Sequence, residues 1–372
     1  MDDRISGCTS MKLTSAEGNV YWFRTCDLKD DIWKGGAHMV SWPAGQEIAL
    51  EGQDQPLRSR YSFAGIANSP KDSWLMDGIN EAGLIGGLQY LNEGTSAGEP
   101  GEGREGVVGM EILTRLLAVC GTAEEVVRQA ENIQILDIPV GERKVPATMH
   151  YIFVDAKGKT AILEAADPSN PGILKAYRDR ENIGVMANSP TYDRQLENLS
   201  WYMSQSPELR YGINGDPVSR LDFDGVEVRA DETASHVSVN GSYPASFASC
   251  DRFIRAAMVK ALNQNGRSFS DRQMLAFGAG LMHTVFEPHT AGIFHYVWFD
   301  EQQRPLKQQD SYTQYLIMYS AAERELYIQP YDSTGWTRLK LCDCPASRIE
   351  RHPIGRSGMD GVTESRDIPA EG

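Results

Sequence analysis

Extended segments occupy both ends of this chain and helical segments its middle, and that distribution restricts the fold more than any other feature. Thr9–Thr14 and Val20–Thr25 flank Ser15-Ala-Glu-Gly-Asn19, a turn signal between two extended runs. Ala37–Trp42, Arg60–Ile66, Trp74–Asn80 and Gly83–Tyr90 read as further strands. Met149–Val154 and Thr160–Glu164 enclose Asp155-Ala-Lys-Gly-Lys159 and read as a hairpin. Ile183–Asn188 is a short strand stopped by Ser-Pro. Ile293–Phe299, Gln314–Ser320, Glu325–Pro330 and Trp336–Leu341 supply the last strands.

Helical spacing of apolar residues marks Gly109–Val119, and Thr122-Ala-Glu-Glu125 reads as a capping box opening a helix to about Asn132. Asp251–Asn263 is amphipathic, and Ser270 caps a helix running to about Thr284. Residues 92–106 and 203–246 read mostly as loop. No internal repeat and no mid-chain linker divides the sequence. This order suits a single α+β domain over residues 8–344 better than a series of βαβ units. Residues 345–372, rich in Pro, Gly and charge, are expected to form a disordered tail.

With 372 residues there is chain enough for a sizeable core without metal or disulfide staples. Thirty-six basic against 51 acidic residues leave a net charge of −15, which repels phosphate backbones and anionic lipid. Nucleic acid and membrane are therefore poor partners, although a local site for a small anion is compatible with an acidic shell. No apolar run is long enough to span a bilayer, and Met-Asp-Asp-Arg-Ile-Ser-Gly is no secretory signal. A cytoplasmic location is expected unless a leader has been cut away. The six cysteines are too sparse for a disulfide framework, and the seven histidines show no metal-ligand spacing, so no zinc is expected.

Cys8 is the residue that points to chemistry. It follows Gly7 directly, so cleavage between them would place a free α-amine beside its own thiol. Such an amine, with a pKa near 8, can act as a base. N-terminal nucleophiles hydrolyse amides through covalent intermediates. If the turn centres near Ala16–Glu17, Cys8 faces about Thr25, and Arg24 and Asp27 return close to it. A guanidinium there favours thiolate and a carboxylate can orient the amine. From spacing alone an ordinary Arg–Asp surface pair at a strand end is the favoured account of those two residues.

Cys8-Thr-Ser-Met followed by Gly18-Asn-Val-Tyr-Trp-Phe-Arg24-Thr-Cys-Asp27 resembles the opening of the choloylglycine hydrolase family, which contains penicillin V acylases and conjugated bile salt hydrolases. Four later segments match in order: Tyr61-Ser-Phe-Ala-Gly-Ile66, Asp77-Gly-Ile-Asn80 through Tyr90, Gly184-Val-Met-Ala-Asn188-Ser-Pro-Thr-Tyr-Asp193, and Ser249-Cys-Asp-Arg252-Phe-Ile-Arg255. The resemblance covers roughly residues 8–341. It implies the N-terminal nucleophile hydrolase fold, a four-layer αββα sandwich of two antiparallel sheets. It further implies removal of residues 1–7, hydrolysis of a linear non-peptide amide, no cofactor, and a homotetramer.

By the same resemblance Cys8 is nucleophile and, through its α-amine, base. Arg24 and Asp27 tune and orient it, Asn188 and the backbone N–H of Tyr90 donate to the oxyanion, and Arg252 stabilises the surroundings. Position 90 is commonly Asn in the bile salt hydrolases and Tyr in the penicillin V acylases, so Tyr90 favours phenoxyacetyl amides. Conjugated bile acids and acyl-homoserine lactones are the alternative substrates, and a catalytically silent acyl-amide binder is the alternative of a different class. Two departures stand out. The leader is longer than an initiator Met, so self-cleavage after Gly7 is expected. Cys26 replaces a usually apolar residue and is open to oxidation or to pairing with Cys8 in a damaged state.

Overall fold

The computed structural model describes residues 7–29, 31–68, 71–137, 148–205, 220–230, 244, 246–289, 295–299 and 305–355. Residues 1–6 of the expected leader and 356–372 of the expected tail lie outside them. Strands β1 (Cys8–Thr14), β2 (Val20–Leu28), β10 (Val185–Met186), β11 (Tyr312–Ser320), β12 (Glu325–Pro330) and β13 (Thr337–Lys340) form a six-stranded sheet. Its order is β10-β1-β2-β11-β12-β13, so the hairpin β1–β2 meets β11, from late in the sequence, at its centre.

The second sheet has eight strands. It contains β3 (His38–Trp42), β4 (Phe63–Ala67), β5 (Leu75–Asn80), β6 (Ile85–Tyr90), β7 (Met149–Val154), β8 (Thr160–Glu164), β9 (Lys175–Tyr177) and β14 (Glu350–His352). They lie in the order β9-β8-β7-β6-β5-β4-β3-β14, and every pairing in both sheets is antiparallel.

Helices α1 (Ile112–Val119) and α2 (Ala123–Ala130) cover the outer face of the eight-stranded sheet through Leu113, Leu116, Leu117, Val126 and Val127. Thr122 Oγ1 accepts from the Glu125 backbone N–H at 3.2 Å and starts α2 where its side chain predicts. Helices α3 (Tyr192–Gln205), α4 (Ser249–Leu262) and α5 (Asp271–Met282) cover the other sheet. The result is the four-layer αββα sandwich. Close approach between layers is set by missing side chains. A Cβ on Gly87 of β6 would strike the Trp22 ring of β2, and one on Gly278 of α5 would strike Phe23. Successive β2 residues thus face opposite layers: Trp22 and Arg24 the second sheet, Phe23 and Asp27 the helices.

Four readings change. Cys8 opposes Cys26, not Thr25. The loop Ser15–Asn19 is five residues, closed by Ser15 N–H to Asn19 O at 2.9 Å with Gly18 at φ +91°, which centres the turn on Glu17. A register slip of one residue swaps faces, so this decides which side chain meets the thiol. Helix α3 escaped the sequence reading although Leu196, Leu199 and Met203 keep helical spacing. Within 203–246, Arg220–Phe223 and Val226–Arg229 form a hairpin around Asp224-Gly225. The expected tail is ordered in part: Glu350–His352 pairs antiparallel with β3 and supplies the edge of the second sheet. The three backbone pairings are joined by side chains: Ile349 packs against the core, Arg351 pairs with Asp72 and His352 hydrogen-bonds with Ser41.

Candidate active site

Cys8 opens β1, and strand pairing determines what surrounds it. The Asp27 N–H donates to Gly7 O at 2.7 Å, so Gly7 and Asp27 form a hydrogen-bonded pair and Cys8–Cys26 is the next, non-hydrogen-bonded one. Arg24, two residues back on the same face, places Nη2 3.3 Å from Cys8 Sγ and 3.8 Å from Cys26 Sγ. The Cys26 thiol and the Arg24 guanidinium hold the Cys8 thiol well below its ordinary pKa in spite of burial. Burial and the neighbouring Cys8 push the Cys26 thiol up. That direction favours the thiolate, the nucleophilic form of cysteine.

Arg24 is itself anchored from the second sheet. Its Nη1 donates to Met76 O and to Asp77 Oδ2, the latter at 2.7 Å. Asp77 also accepts from Tyr315 OH at 2.7 Å and Tyr319 OH at 2.6 Å. All four side chains are essentially without solvent exposure. Although burial opposes it, the negative charge of Cys8 and of the Asp77 carboxylate around Arg24 raises its pKa further and keeps it charged.

A second network lies on the helix-facing side of β2. Asp27 Oδ1 accepts from Thr313 Oγ1 at 2.6 Å, and Arg252 Nη1 of α4 stands 3.7 Å from Asp27 Oδ2. Arg252 also donates to Cys8 O at 2.8 Å, Thr9 Oγ1 at 2.6 Å and Asn188 Oδ1 at 3.0 Å, and its Nε lies 3.3 Å from Glu287 Oε1. Burial, followed by the charge of Glu287, pushes the Asp27 carboxyl up, and burial does the same to Glu287. Asn188 bridges these groups: Oδ1 accepts from the Cys8 N–H at 2.6 Å, and Nδ2 donates to Tyr90 O at 2.9 Å. One of the two N–H donors on Nδ2 is thereby used, and no other partner engages Nδ2 among the described residues.

The structure therefore gathers Cys8, Arg24, Asp27, Asn188 and Arg252 into one buried cluster. Tyr90 reaches it through its carbonyl, while its ring packs half-buried against the core under α1 and α2. Asp77, Thr313, Glu287, Tyr315 and Tyr319 were not singled out from the sequence. Only Asp77 left a local signal, as a charge inside the apolar run Trp74–Asn80. Among the described residues no three His, Cys, Asp or Glu side chains converge as a metal site requires, and no helix is long and apolar enough to cross a membrane.

The model of linear amide C-N hydrolases, choloylglycine hydrolase family, matches residues 8–275. The chain belongs to that family. It is a linear amide C–N hydrolase, and the bile salt hydrolase/transferase of Clostridium perfringens is 26% identical to it over 267 residues, 71% of this chain and 75% of the relative. A conjugated bile acid hydrolase variant from Clostridium perfringens shares the fold at a TM-score of 0.72 and 20% identity, covering 94% of this chain and 98% of the other. The penicillin V acylase of Agrobacterium tumefaciens does so at 0.66 and 20% identity, covering 96% and 94%. The two-sheet sandwich is thus that of the family.

Proposed function

We propose that the chain cleaves its amide with Cys8 as nucleophile, freed as the N-terminal residue by loss of residues 1–7, and that it prefers phenoxyacetyl amides of the penicillin V type. The observation that carries the reading is the position of Cys8, with its thiol 3.3 Å from Arg24 Nη2 and its nitrogen 2.6 Å from Asn188 Oδ1. Thiolate attack on the amide carbon forms a C–S bond and an oxyanion, to which the second Asn188 N–H donates. Losing one such donor typically costs about 10²–10³ in rate. The α-amine, held by Asn188, passes a proton to the departing nitrogen as the C–N bond breaks. It then takes a proton from the water that hydrolyses the thioester. Arg24 holds the thiolate, and Asp27 with Arg252 fixes the strand end that carries it.

The phenoxyacetyl preference rests on the residue type at position 90 alone, because the Tyr90 ring packs under α1 and α2 and only its carbonyl meets Asn188. The long alignment with a bile salt hydrolase/transferase supports conjugated bile acids as the second reading. Side-by-side turnover of penicillin V and glycocholate separates the two, and an intact mass tests the loss of residues 1–7. A Cys8→Ser variant with undiminished turnover would refute the mechanism while leaving the fold untouched.

A further inference from the structure

The cross-strand pair Cys8–Cys26 has the geometry of a disulfide waiting to close. In a non-hydrogen-bonded antiparallel pair the Cα atoms stand about 4.5 Å apart with side chains on one face. A disulfide spans Cα separations of about 4.4–6.8 Å. Both sulfurs lie against a single nitrogen, Arg24 Nη2, at 3.3 and 3.8 Å, so they are neighbours in fact as well as in register. Both cysteines are free and buried, and the other four thiols have no such partner in register.

We propose that Cys26 is a resolving thiol, and that hydrogen peroxide converts the pair reversibly to a Cys8–Cys26 disulfide that switches the site off and shields Cys8 from irreversible oxidation. The Cys8 thiolate attacks one peroxide oxygen, forming Cys8 sulfenic acid and releasing hydroxide. Peroxide is the two-electron oxidant. The Cys26 sulfur then attacks the Cys8 sulfur, an S–S bond replaces the S–O bond, and the departing oxygen leaves as water with the Cys26 proton. Arg24 serves both stages. Once Cys8 is sulfenylated its negative charge is gone, and the guanidinium 3.8 Å from Cys26 Sγ favours ionisation of the remaining thiol. A dithiol returns both residues to thiols by exchange. The disulfide occupies the nucleophile's sulfur, so amide cleavage stops while it persists.

The test exposes the purified full chain to a small excess of hydrogen peroxide, stops the reaction with catalase, and maps thiols by mass after non-reducing digestion. The expected product joins the Cys8 and Cys26 peptides with loss of two hydrogens, and dithiothreitol restores both thiols. In Cys26→Ser, which nearly keeps the volume, and in Cys26→Ala, Cys8 should instead gain two or three oxygens that dithiothreitol does not remove. Wild-type protein that accumulates oxygens on Cys8 without a cross-link, or whose Cys8 stays reduced, would overturn the proposal. Should both variants fail to fold, the wild-type cross-link map alone decides. The readout is a mass, so failure to turn over penicillin V or glycocholate does not bear on it.

Discussion

Replacing Asp77 by Asn tests whether the second sheet holds Arg24 against the thiol. Three donors converge on the Asp77 carboxylate: Arg24 Nη1 at 2.7 Å, Tyr315 OH at 2.7 Å and Tyr319 OH at 2.6 Å. Asn offers one acceptor oxygen in place of two and carries no charge, so Arg24 is left buried without its carboxylate. Removing one partner of a buried ion pair costs about 3–5 kcal/mol. Tyr319→Phe removes a single hydrogen bond to a charged acceptor, worth about 1.5–3 kcal/mol, and leaves the ion pair intact. The expected order in urea midpoint is wild type, Tyr319→Phe, then Asp77→Asn. Cys8 reports the functional half. With Nη1 held by the Met76 carbonyl without the Asp77 carboxylate, Nη2 is less firmly fixed against Sγ, and alkylation of Cys8 by iodoacetamide at mildly acidic pH should slow in Asp77→Asn but much less in Tyr319→Phe. An Asp77→Asn protein destabilised by less than about 1 kcal/mol, well under the buried-pair range, and alkylated at the wild-type rate would show that the cluster neither holds the fold nor positions Arg24.

Asn188→Ala should lower kcat about 10²–10³-fold on whichever amide is turned over, with a smaller change in KM, as steady-state kinetics will show. Gly7→Val should leave residues 1–7 attached in an intact mass measurement, because a Cβ there would strike Glu287 Oε1 and lie 2.8 Å from Arg252 Nη2. A variant that begins at Cys8 would remove the steric argument. Glu287 carries a pH signature. Its folded pKa is raised by burial, so its contribution to stability is full below the unfolded carboxylate value near 4.3 and is lost as pH rises through the folded value. Glu287→Gln should therefore gain thermal stability relative to wild type as pH rises across that window, and parallel melting curves would refute the sign.

What the sequence disclosed depended on how local the signal was. The turn signal Ser15–Asn19 between two extended runs and the caps at Thr122 and Ser270 act within a few residues, and those elements stand where they were read. Placing Arg24 and Asp27 near Cys8 needed only hairpin arithmetic, but the face needed the loop length, and an error of one residue exchanged Thr25 for Cys26. Asp77, Tyr315 and Tyr319 meet Arg24 across the space between two sheets, where no sequence spacing constrains the partner. Glu287 likewise enters through α4 and Thr313 rather than through its own neighbours. Glu350–His352 was missed because its apolar anchor is the single residue Ile349 and the partners of Arg351 and His352, Asp72 and Ser41, lie far away in the sequence.

The alternation of β2 also explains how one strand can serve two incompatible electrostatic tasks. A thiolate needs positive charge close by, and a carboxylate on the same face would raise its pKa. Arg24 and Cys26 face the second sheet with Cys8 Sγ, while Asp27, one residue further on, faces the helices and meets Arg252. The Cys8 backbone sits between the two faces, with its carbonyl bound by Arg252 and its nitrogen by Asn188. Inserting one residue between Asn19 and Val20 while keeping the turn's closing bonds would set Cys8 opposite Thr25, turn Asp27 to the sulfur's side of the strand and turn Cys26 away from it. The five-residue loop therefore matters to the chemistry as much as any side chain in the cluster, because it decides which charge the thiol sees.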